Sequence, residues 1–220
     1  MSFFKRLFQS SASSLPEKEA LSFDTLGWPE IDRQKHRIIW QSEEVPAQLS
    51  LNFFPSAPDL PRPLSHTPKL IKFYRKKLTK AQGGILEVKP GEIQGFRAID
   101  TLFKMPMEKG GFIYVSSITI PFVDCSYVVK LQAQEYIHIG KREQLVEERL
   151  EKDNKVPDQW TEDPYDSSVK LGSLRHVGDD VRFDLFFPDH PLSQLRGWMF
   201  RVKNSLHFDE SFSKLEPLVD

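Results

Sequence analysis

The segment Phe112-Ile-Tyr-Val-Ser-Ser-Ile-Thr-Ile120 decides the fold class, because it is rich in apolar and β-branched side chains that alternate with polar ones from Ser117 to Ile120. Such alternation is typical of a β-strand with one buried face and one polar face. The segment Tyr127-Val-Val-Lys-Leu-Gln-Ala133 shows a similar pattern. The short stretch between the two segments contains the predicted break, residues 121–124. We therefore expect them to pair as antiparallel neighbours.

The β pattern extends outward from this pair in both directions. Strands are predicted at residues 36–41, 47–54, 85–93, 96–105, 112–122 and 126–139. In the second of these, Leu49, Leu51 and Phe53 alternate with polar residues. The breaks between the last four strands are short, and two of them contain glycine. Residues 85–139 are therefore expected to form an antiparallel meander.

Helical spacing of apolar residues appears at three places. Helices are predicted at residues 67–82, 140–154 and 192–207. Thr67 is expected to cap the first helix and Pro68 to occupy its first position, where the missing N–H costs nothing. Gly83 and Gly84 are expected to end that helix in a left-handed conformation. Asp189 is expected to cap the last helix.

The resulting order is β-β-α-β-β-β-β-α-loop-α, which predicts an α+β fold with an antiparallel sheet meander flanked by helices. We expect a single domain at residues 30–208 with an irregular insertion at 154–180. Residues 1–29 are interpreted as an amphipathic segment and linker. Residues 209–220 are interpreted as a C-terminal tail that is loose or laid across the surface.

This order of elements resembles the PsbP-like superfold, an α/β/α sandwich. The superfold includes a photosystem II extrinsic protein, a Ran-binding import factor and DcrB-type bacterial proteins. The resemblance is carried by the strand pair at 36–54, the helix at 67–82, the meander at 85–139 and the late helix at 192–207. Members are mostly non-enzymatic, so the resemblance implies a binding or assembly role.

Composition excludes several classes of protein. The chain has 220 residues, and 30 basic against 31 acidic residues argue against a general nucleic-acid binder. Cys125 is the lone cysteine, which excludes an internal disulfide framework and a cysteine-cluster zinc site. No apolar run approaches the roughly 20 residues of a membrane span. We therefore expect a soluble, cytoplasmic and bacterial protein.

The predicted first helix carries an unusual concentration of positive charge. Six basic residues and no acid lie between residues 69 and 80. The predicted partner-binding residues on this helix are Lys72, Arg75, Lys76 and Lys80. The alternative is a solvated face balanced by acids elsewhere, such as Glu143, Glu147, Glu148 and Glu151. Because the whole chain is nearly neutral, we favour a protein partner and predict no nucleic-acid partner.

Trp160 and Tyr165 lie in the insertion among several acidic residues. Aromatic side chains in an acidic loop indicate a recognition surface, so both are predicted to contact a partner. The alternative is that both aromatic rings hold the loop against the core while the acids face water.

One segment carries residues that could support hydrolysis. His176, Asp180, Asp184 and His190 offer imidazole and carboxylate groups for a metal-dependent hydrolase. This alternative requires the four side chains to converge within about 6 Å. The chain contains no HExxH, EF-hand, GxSxG, Walker or GxGxxG motif. No catalytic residue, metal ligand or cofactor is therefore predicted.

The favoured function is a non-catalytic binding or assembly protein that acts through protein–protein contacts. A homodimer formed through an exposed strand is a further expectation. A third hypothesis is peripheral membrane contact through Phe3, Phe4, Leu7 and Phe8, which share one face at helical spacing.

Overall fold

The computed structural model describes residues 18–153, 160–161 and 175–218. Its centre is an antiparallel sheet of seven strands in the order β2-β3-β4-β8-β7-β6-β5. The strands are β1 (Leu21–Ser22), β2 (Glu30–Gln34), β3 (Arg37–Gln41), β4 (Ala47–Phe54), β5 (Gly84–Ile93), β6 (Phe96–Pro106), β7 (Phe112–Pro121), β8 (Ser126–Gln134), β9 (Trp160–Thr161), β10 (Arg175–His176) and β11 (His207–Phe208).

Three α-helices flank this sheet: α1 (Thr67–Thr79), α2 (Lys141–Lys152) and α3 (Pro191–Asn204). Helix α1 packs on β5, and α3 packs on β7 and β8. Short 3₁₀ helices lie at Lys18–Ala20, Val177–Asp179, Val181–Phe186 and Glu210–Lys214. The predicted α+β class, an antiparallel sheet flanked by helices, is confirmed.

The alternation that predicted the central hairpin is the alternation that builds the main core. Strands β7 and β8 pair so that Tyr114 lies opposite Ala133 and Ile118 opposite Val129. These four side chains are buried, and they belong to the same core cluster as Leu195 of α3. Each apolar side chain on this face is withdrawn from water, which stabilises the layer by roughly 25 cal/mol for each Å² of apolar area.

A second, smaller core lies beneath α1. Leu70, Ile71 and Leu78 form the buried stripe of that helix and cluster with Ile85 and Ile99 of the sheet. The stripe follows the i, i+1, i+8 positions of one helix face, so the remaining faces of α1 are available to solvent. The basic residues of the helix occupy those faces.

The caps of the helices differ from the prediction. His66, rather than Thr67, caps α1, and its Nδ1 accepts a hydrogen bond from the Lys69 backbone N–H at 3.1 Å. His190, rather than Asp189, caps α3 in the same way. Gln82 adopts the positive φ of 52° that was expected at the following glycines. A histidine Nδ1 can accept a backbone N–H as a carboxylate does, and sequence preferences for caps do not include this substitute.

The domain extends beyond both predicted boundaries. β1 pairs with β11, which brings residues 21–22 into the fold. At the other end, Phe212, Leu215 and Leu218 are buried, and Pro217 forms an isolated bridge with Phe122. The interpretation of residues 209–220 as a loose or superficial tail is therefore wrong for the described part, because its apolar side chains complete the core.

Three further features of the regular structure differ from the prediction. β8 ends at Gln134, five residues before the predicted end, and β2 was not predicted. Part of the insertion predicted as irregular is regular, since β10 and the 3₁₀ helix Val177–Asp179 lie within it. No helix in the described ranges is long and apolar enough to cross a membrane.

Candidate functional site

The basic helix predicted from the sequence lies on the surface. Lys72 and Lys76 are exposed on α1, and Lys80 is exposed at its C-cap. These residues are four positions apart, which places their stems about 6 Å apart along the axis on one side of the helix. Arg75 lies between them and is half-buried. The structure therefore brings the four predicted basic residues onto one continuous surface.

A depression of about 790 Å³ runs beside this surface. Its described lining comes from α1 alone: Thr67, Pro68, Ile71, Lys72, Arg75, Lys76 and Thr79. Three of these residues are the predicted partner-binding cations. The others are apolar or carry a short hydroxyl side chain. The depression, called the groove below, therefore combines positive charge with apolar area.

The three lysines of this surface form no ion pair with the described residues. Across the part of the chain that the structure describes, no carboxylate pairs with Lys72, Lys76 or Lys80. Neighbouring Lys77 differs, since its Nζ lies 3.5 Å from Asp59 and 4.2 Å from the centre of the Phe73 ring. Among the described residues, the charges of Lys72, Lys76 and Lys80 are thus not neutralised by a carboxylate.

Three of the four acids considered as a balance for this helix have other partners, and the fourth, Glu151, is exposed and forms no ion pair with α1 among the described residues. Glu143 is buried and pairs with Lys104, and Glu147 accepts from His176 at 2.9 Å. Glu148 accepts a hydrogen bond from Gln144. The alternative in which these acids neutralise the basic helix therefore has no support among them.

The two aromatic residues of the insertion are only partly placed. The backbone of Trp160 lies in β9, opposite His176 of β10. The Trp160 side chain and all of Tyr165 lie outside the described residues. The prediction that both contact a partner stays a prediction, and so does the prediction for Phe3, Phe4, Leu7 and Phe8, which also lie outside.

The four residues of the hydrolase hypothesis contact different partners. His176 bonds Glu147, and His190 bonds Glu135 at 3.0 Å. Asp180 accepts from the Arg182 backbone N–H, and Asp184 pairs with Arg142 and Arg196. Each of the four side chains thus caps a helix or takes part in an ion pair.

A buried ionic cluster lies where β6, α2 and the 3₁₀ helix Val177–Asp179 meet. The Lys104 side chain is fully buried, and its Nζ donates to Glu143 at 2.9 Å and to Asp179 at 3.0 Å. Burial raises the pKa of Glu143, but the charge and hydrogen bond of Lys104 outweigh it and hold that pKa below its ordinary value. The three groups form a buried ion-pair network that links β6, α2 and the 3₁₀ helix Val177–Asp179.

Arg142 holds the neighbouring chain segment to α2. Its buried guanidinium donates to Gly178 O at 2.7 Å, to Ser193 Oγ at 2.7 Å and to Asp184 at 2.7 Å. Arg196 donates to Asp184 as well, at 2.8 Å. A planar guanidinium with several donors suits this role of fixing separate segments at once.

Glu135, Glu143 and His190 come close enough to be considered as metal ligands, since their ligand atoms lie within 4.8 Å of one another. The ring of His190 is already committed, however. Its Nδ1 accepts the Leu192 backbone N–H at 3.2 Å, so Nε2 carries the ring proton and donates to Glu135. A metal on Nε2 would have to displace that proton and disturb the cap. The cluster is therefore best explained as a structural network.

Tyr114 joins the same network and shows how strongly charged its surroundings are. Its hydroxyl lies 3.4 Å from Glu135 Oε1. Burial, followed by the negative charges of Asp179, Glu143 and Glu135, raises the pKa of this phenol well above its ordinary value. The phenol therefore stays neutral and serves as a hydrogen-bond donor.

Sequence reasoning missed this cluster because its members are far apart along the chain. Lys104 is 39 residues from Glu143 and 75 residues from Asp179. The sequence contains one signal for this cluster. Lys104 lies an even number of residues from Ala98 and Leu102 along β6, so its side chain points to the same buried face of the strand. A lysine at an inward strand position requires buried carboxylates as partners.

Comparison with known proteins leaves the function open. No family model and no curated protein matches the chain. Among solved structures, PA94, a protein of unknown function from Pseudomonas aeruginosa, is similar with a TM-score of 0.34 and 14% identity, over 59% of this chain and 88% of its own. A structure from Bacteroides thetaiotaomicron has a TM-score of 0.35 and 7% identity, over 55% of this chain and 41% of its own. Function therefore has to be argued from the residues of this chain.

Proposed function

We propose that the chain is a non-catalytic binding protein whose basic α1 surface contacts an acidic segment of a protein partner. The observation that carries this proposal is the set of Lys72, Lys76 and Lys80. These lysines have no carboxylate partner among the described residues, and two of them line a groove of about 790 Å³. Surface cations left without partners attract acidic groups and accelerate encounter with them.

A protein segment fits this groove better than nucleic acid or lipid does. The lining includes Pro68 and Ile71 as well as the lysines. An acidic peptide supplies both carboxylates and apolar side chains, whereas a phosphate backbone supplies only charge. The formal net charge of the chain is −1, which gives no general attraction to polyanions.

The spacing of the lysines indicates the shape of the partner segment. Residues four apart on a helix are separated by about 6 Å along the axis. Alternate residues of an extended chain are separated by about 6.6 Å. An extended segment with an acid at every second position would therefore place successive carboxylates opposite Lys72, Lys76 and Lys80.

The fold family and the cellular setting of the chain are proposed as well. The strand pair, basic helix, meander and late helix support membership of the PsbP-like superfold. The buried, lone Cys125 supports a cytoplasmic setting, and a bacterial source goes with the DcrB-type members of that superfold. The binding role itself does not depend on either statement.

The proposal is tested by fluorescence anisotropy with a labelled peptide of alternating glutamate and valine. Three full-length proteins are compared: the natural chain, a variant with Lys72→Glu, Lys76→Glu and Lys80→Glu, and a control with Lys35→Glu, Lys109→Glu and Lys214→Glu. The control residues are exposed elsewhere and undergo the same charge change.

The natural chain and the control should bind the peptide, and the α1 variant should bind at least about tenfold more weakly at low salt, which corresponds to roughly 1.4 kcal/mol. Equal affinity of the two variants would overturn the proposed site. Binding of single-stranded DNA or anionic vesicles in preference to the peptide would overturn the proposed partner class.

A further inference from the structure

A second surface of the protein exposes a concentration of large apolar side chains. We name it the α2 apolar surface. It consists of Tyr136, Ile137, Ile139, Leu145, Leu185 and Phe186, which are between 37% and 90% exposed. These residues come from the connection between β8 and α2, from α2 itself and from the 3₁₀ helix Val181–Phe186. Four of them, Tyr136, Ile137, Leu145 and Phe186, line adjoining depressions of the surface, and exposed apolar patches mark interaction sites.

The shape of the surface is suited to receive large side chains. Two neighbouring depressions of about 320 Å³ and 380 Å³ lie on it. Leu145, Phe186 and Phe187 line both, so the depressions are continuous across one apolar ridge. The guanidinium of Arg149 lies 4.1 Å from the centre of the Phe186 ring and helps to hold that ring in place.

The charges on the exposed face of α2 indicate what kind of partner fits the α2 apolar surface. Lys141, Leu145, Glu148 and Lys152 are all exposed and share the outer face of the helix. Within the described residues Lys141 has no ion pair, and Glu148 accepts only the hydrogen bond from Gln144. The face therefore presents a cation, an apolar residue, an anion and a second cation in sequence.

We propose that a second copy of this chain covers the α2 apolar surface. Antiparallel packing of α2 about a two-fold axis between Gln144 and Leu145 sets Lys141 opposite the partner's Glu148. Symmetry makes the reciprocal pair at the same time. Leu145 and the Phe186 ridge then lie at the centre, with the charge pairs beside them, as in interfaces with an apolar core and a polar rim.

The mixed signs favour a copy of the same chain over a partner of one charge. The exposed cations Lys141, Arg149 and Lys152 line the depressions together with Glu148 and Asp189. An acidic partner of the kind proposed for α1 would pair with the cations but would offer no cation to Glu148 and Asp189. An identical surface, turned by a two-fold rotation, meets opposite charge at the Lys141 and Glu148 positions.

The test is sedimentation equilibrium of the full chain, which needs no knowledge of any other partner. The natural protein should form a dimer. Leu145→Glu should weaken the dimer at least tenfold, whereas Phe200→Glu should not. Phe200 is the matched control, because it is a large apolar residue 69% exposed on α3. Circular dichroism and urea unfolding of each variant separate loss of dimer from loss of fold.

Charge reversal provides the sharper readout. Lys141→Glu alone and Glu148→Lys alone each set like charges across the proposed axis, so both should weaken the dimer. The double variant restores opposite charges and should return the dimerisation constant to within about threefold of the natural value. A monomeric natural protein at 100 µM, about a hundredfold above a micromolar constant, would overturn the proposal. A dimer that is indifferent to Leu145→Glu, or a double variant as weak as the single ones, would overturn it equally.

Discussion

Lys104 Nζ lies 2.9 Å from Glu143 Oε1, and neither side chain is more than 8% exposed. The same ammonium also lies 3.0 Å from Asp179 Oδ1. One lysine on β6 therefore fixes both α2 and the 3₁₀ helix Val177–Asp179 against the sheet. Because water is excluded, the charge of each group depends on the others for its stabilisation.

The first prediction concerns this buried ionic cluster of Lys104, Glu143 and Asp179. Lys104→Met keeps a long apolar stem but leaves the carboxylates of Glu143 and Asp179 without their cation. Removal of one partner from a buried ion pair costs about 3–5 kcal/mol, since the remaining charge is left unpaired. We expect a loss of this size in the free energy of unfolding, measured by urea denaturation. A decrease in the free energy of unfolding below about 1 kcal/mol would show that the buried ionic cluster is unimportant for stability.

The second prediction concerns pH. The folded pKa of Glu143 is lowered, so the stability due to its ionised form is fully present above the unfolded pKa of about 4.3. It is lost as the pH falls through the lower folded pKa. Glu143→Gln removes this contribution. The stability difference between the natural chain and the variant should be constant from pH 7 to pH 5 and shrink below pH 4, whereas a pH-independent difference would contradict the assignment.

The third prediction separates the two roles of His190, which caps α3 and donates to Glu135. His190→Ala removes both contacts, whereas His190→Asn keeps a side-chain acceptor for the Leu192 N–H. An N-cap contributes about 1 kcal/mol, so the alanine variant should be less stable than the asparagine variant by that amount. Trp198 of α3 packs on Trp28 and supplies the fluorescence signal. Equal stability of the two variants would mean that the ring does not act as a cap.

The fourth prediction concerns Cys125. Burial, with a smaller contribution from Asp124, raises the pKa of this thiol to about 11. Roughly one thiol in a thousand is then ionised at pH 8, and the group is also shielded from reagents. Iodoacetamide should modify the native protein far more slowly than the urea-unfolded protein. Comparable rates would show that the thiol is accessible in the folded state.

The fold was predictable where local pattern determines it. Ile118 alternates with the polar residues Ser117 and Thr119, and a short turn joins β7 to β8, so both the strands and their pairing follow from neighbouring residues. β2 was missed because it is a polar edge strand, whose existence depends on pairing with β3. The core position of Phe212 was missed because no regular spacing marks the residues around it.

The candidate sites divide in the same way. Lys72, Lys76 and Lys80 were predictable, because helical spacing alone places them on one face. Lys104 and Arg142 were not, because a buried charge requires partners that the chain supplies from distant segments. The pairing of His176 and His190 with separate carboxylates could not be predicted either, since only the folded chain brings Glu147 and Glu135 near them.

The binding proposal is tested most directly by zero-length cross-linking with a carbodiimide, which joins lysine amines to carboxylates in contact. The tagged full-length protein is cross-linked in extracts of its native cell, and the joined peptides are sequenced by mass spectrometry. We predict cross-links from Lys72, Lys76 or Lys80 to an acidic segment of another protein, and their loss, together with loss of that protein, in the Lys72→Glu, Lys76→Glu, Lys80→Glu variant. Retention of the partner by this variant, or cross-links to it only from other lysines, would contradict the account.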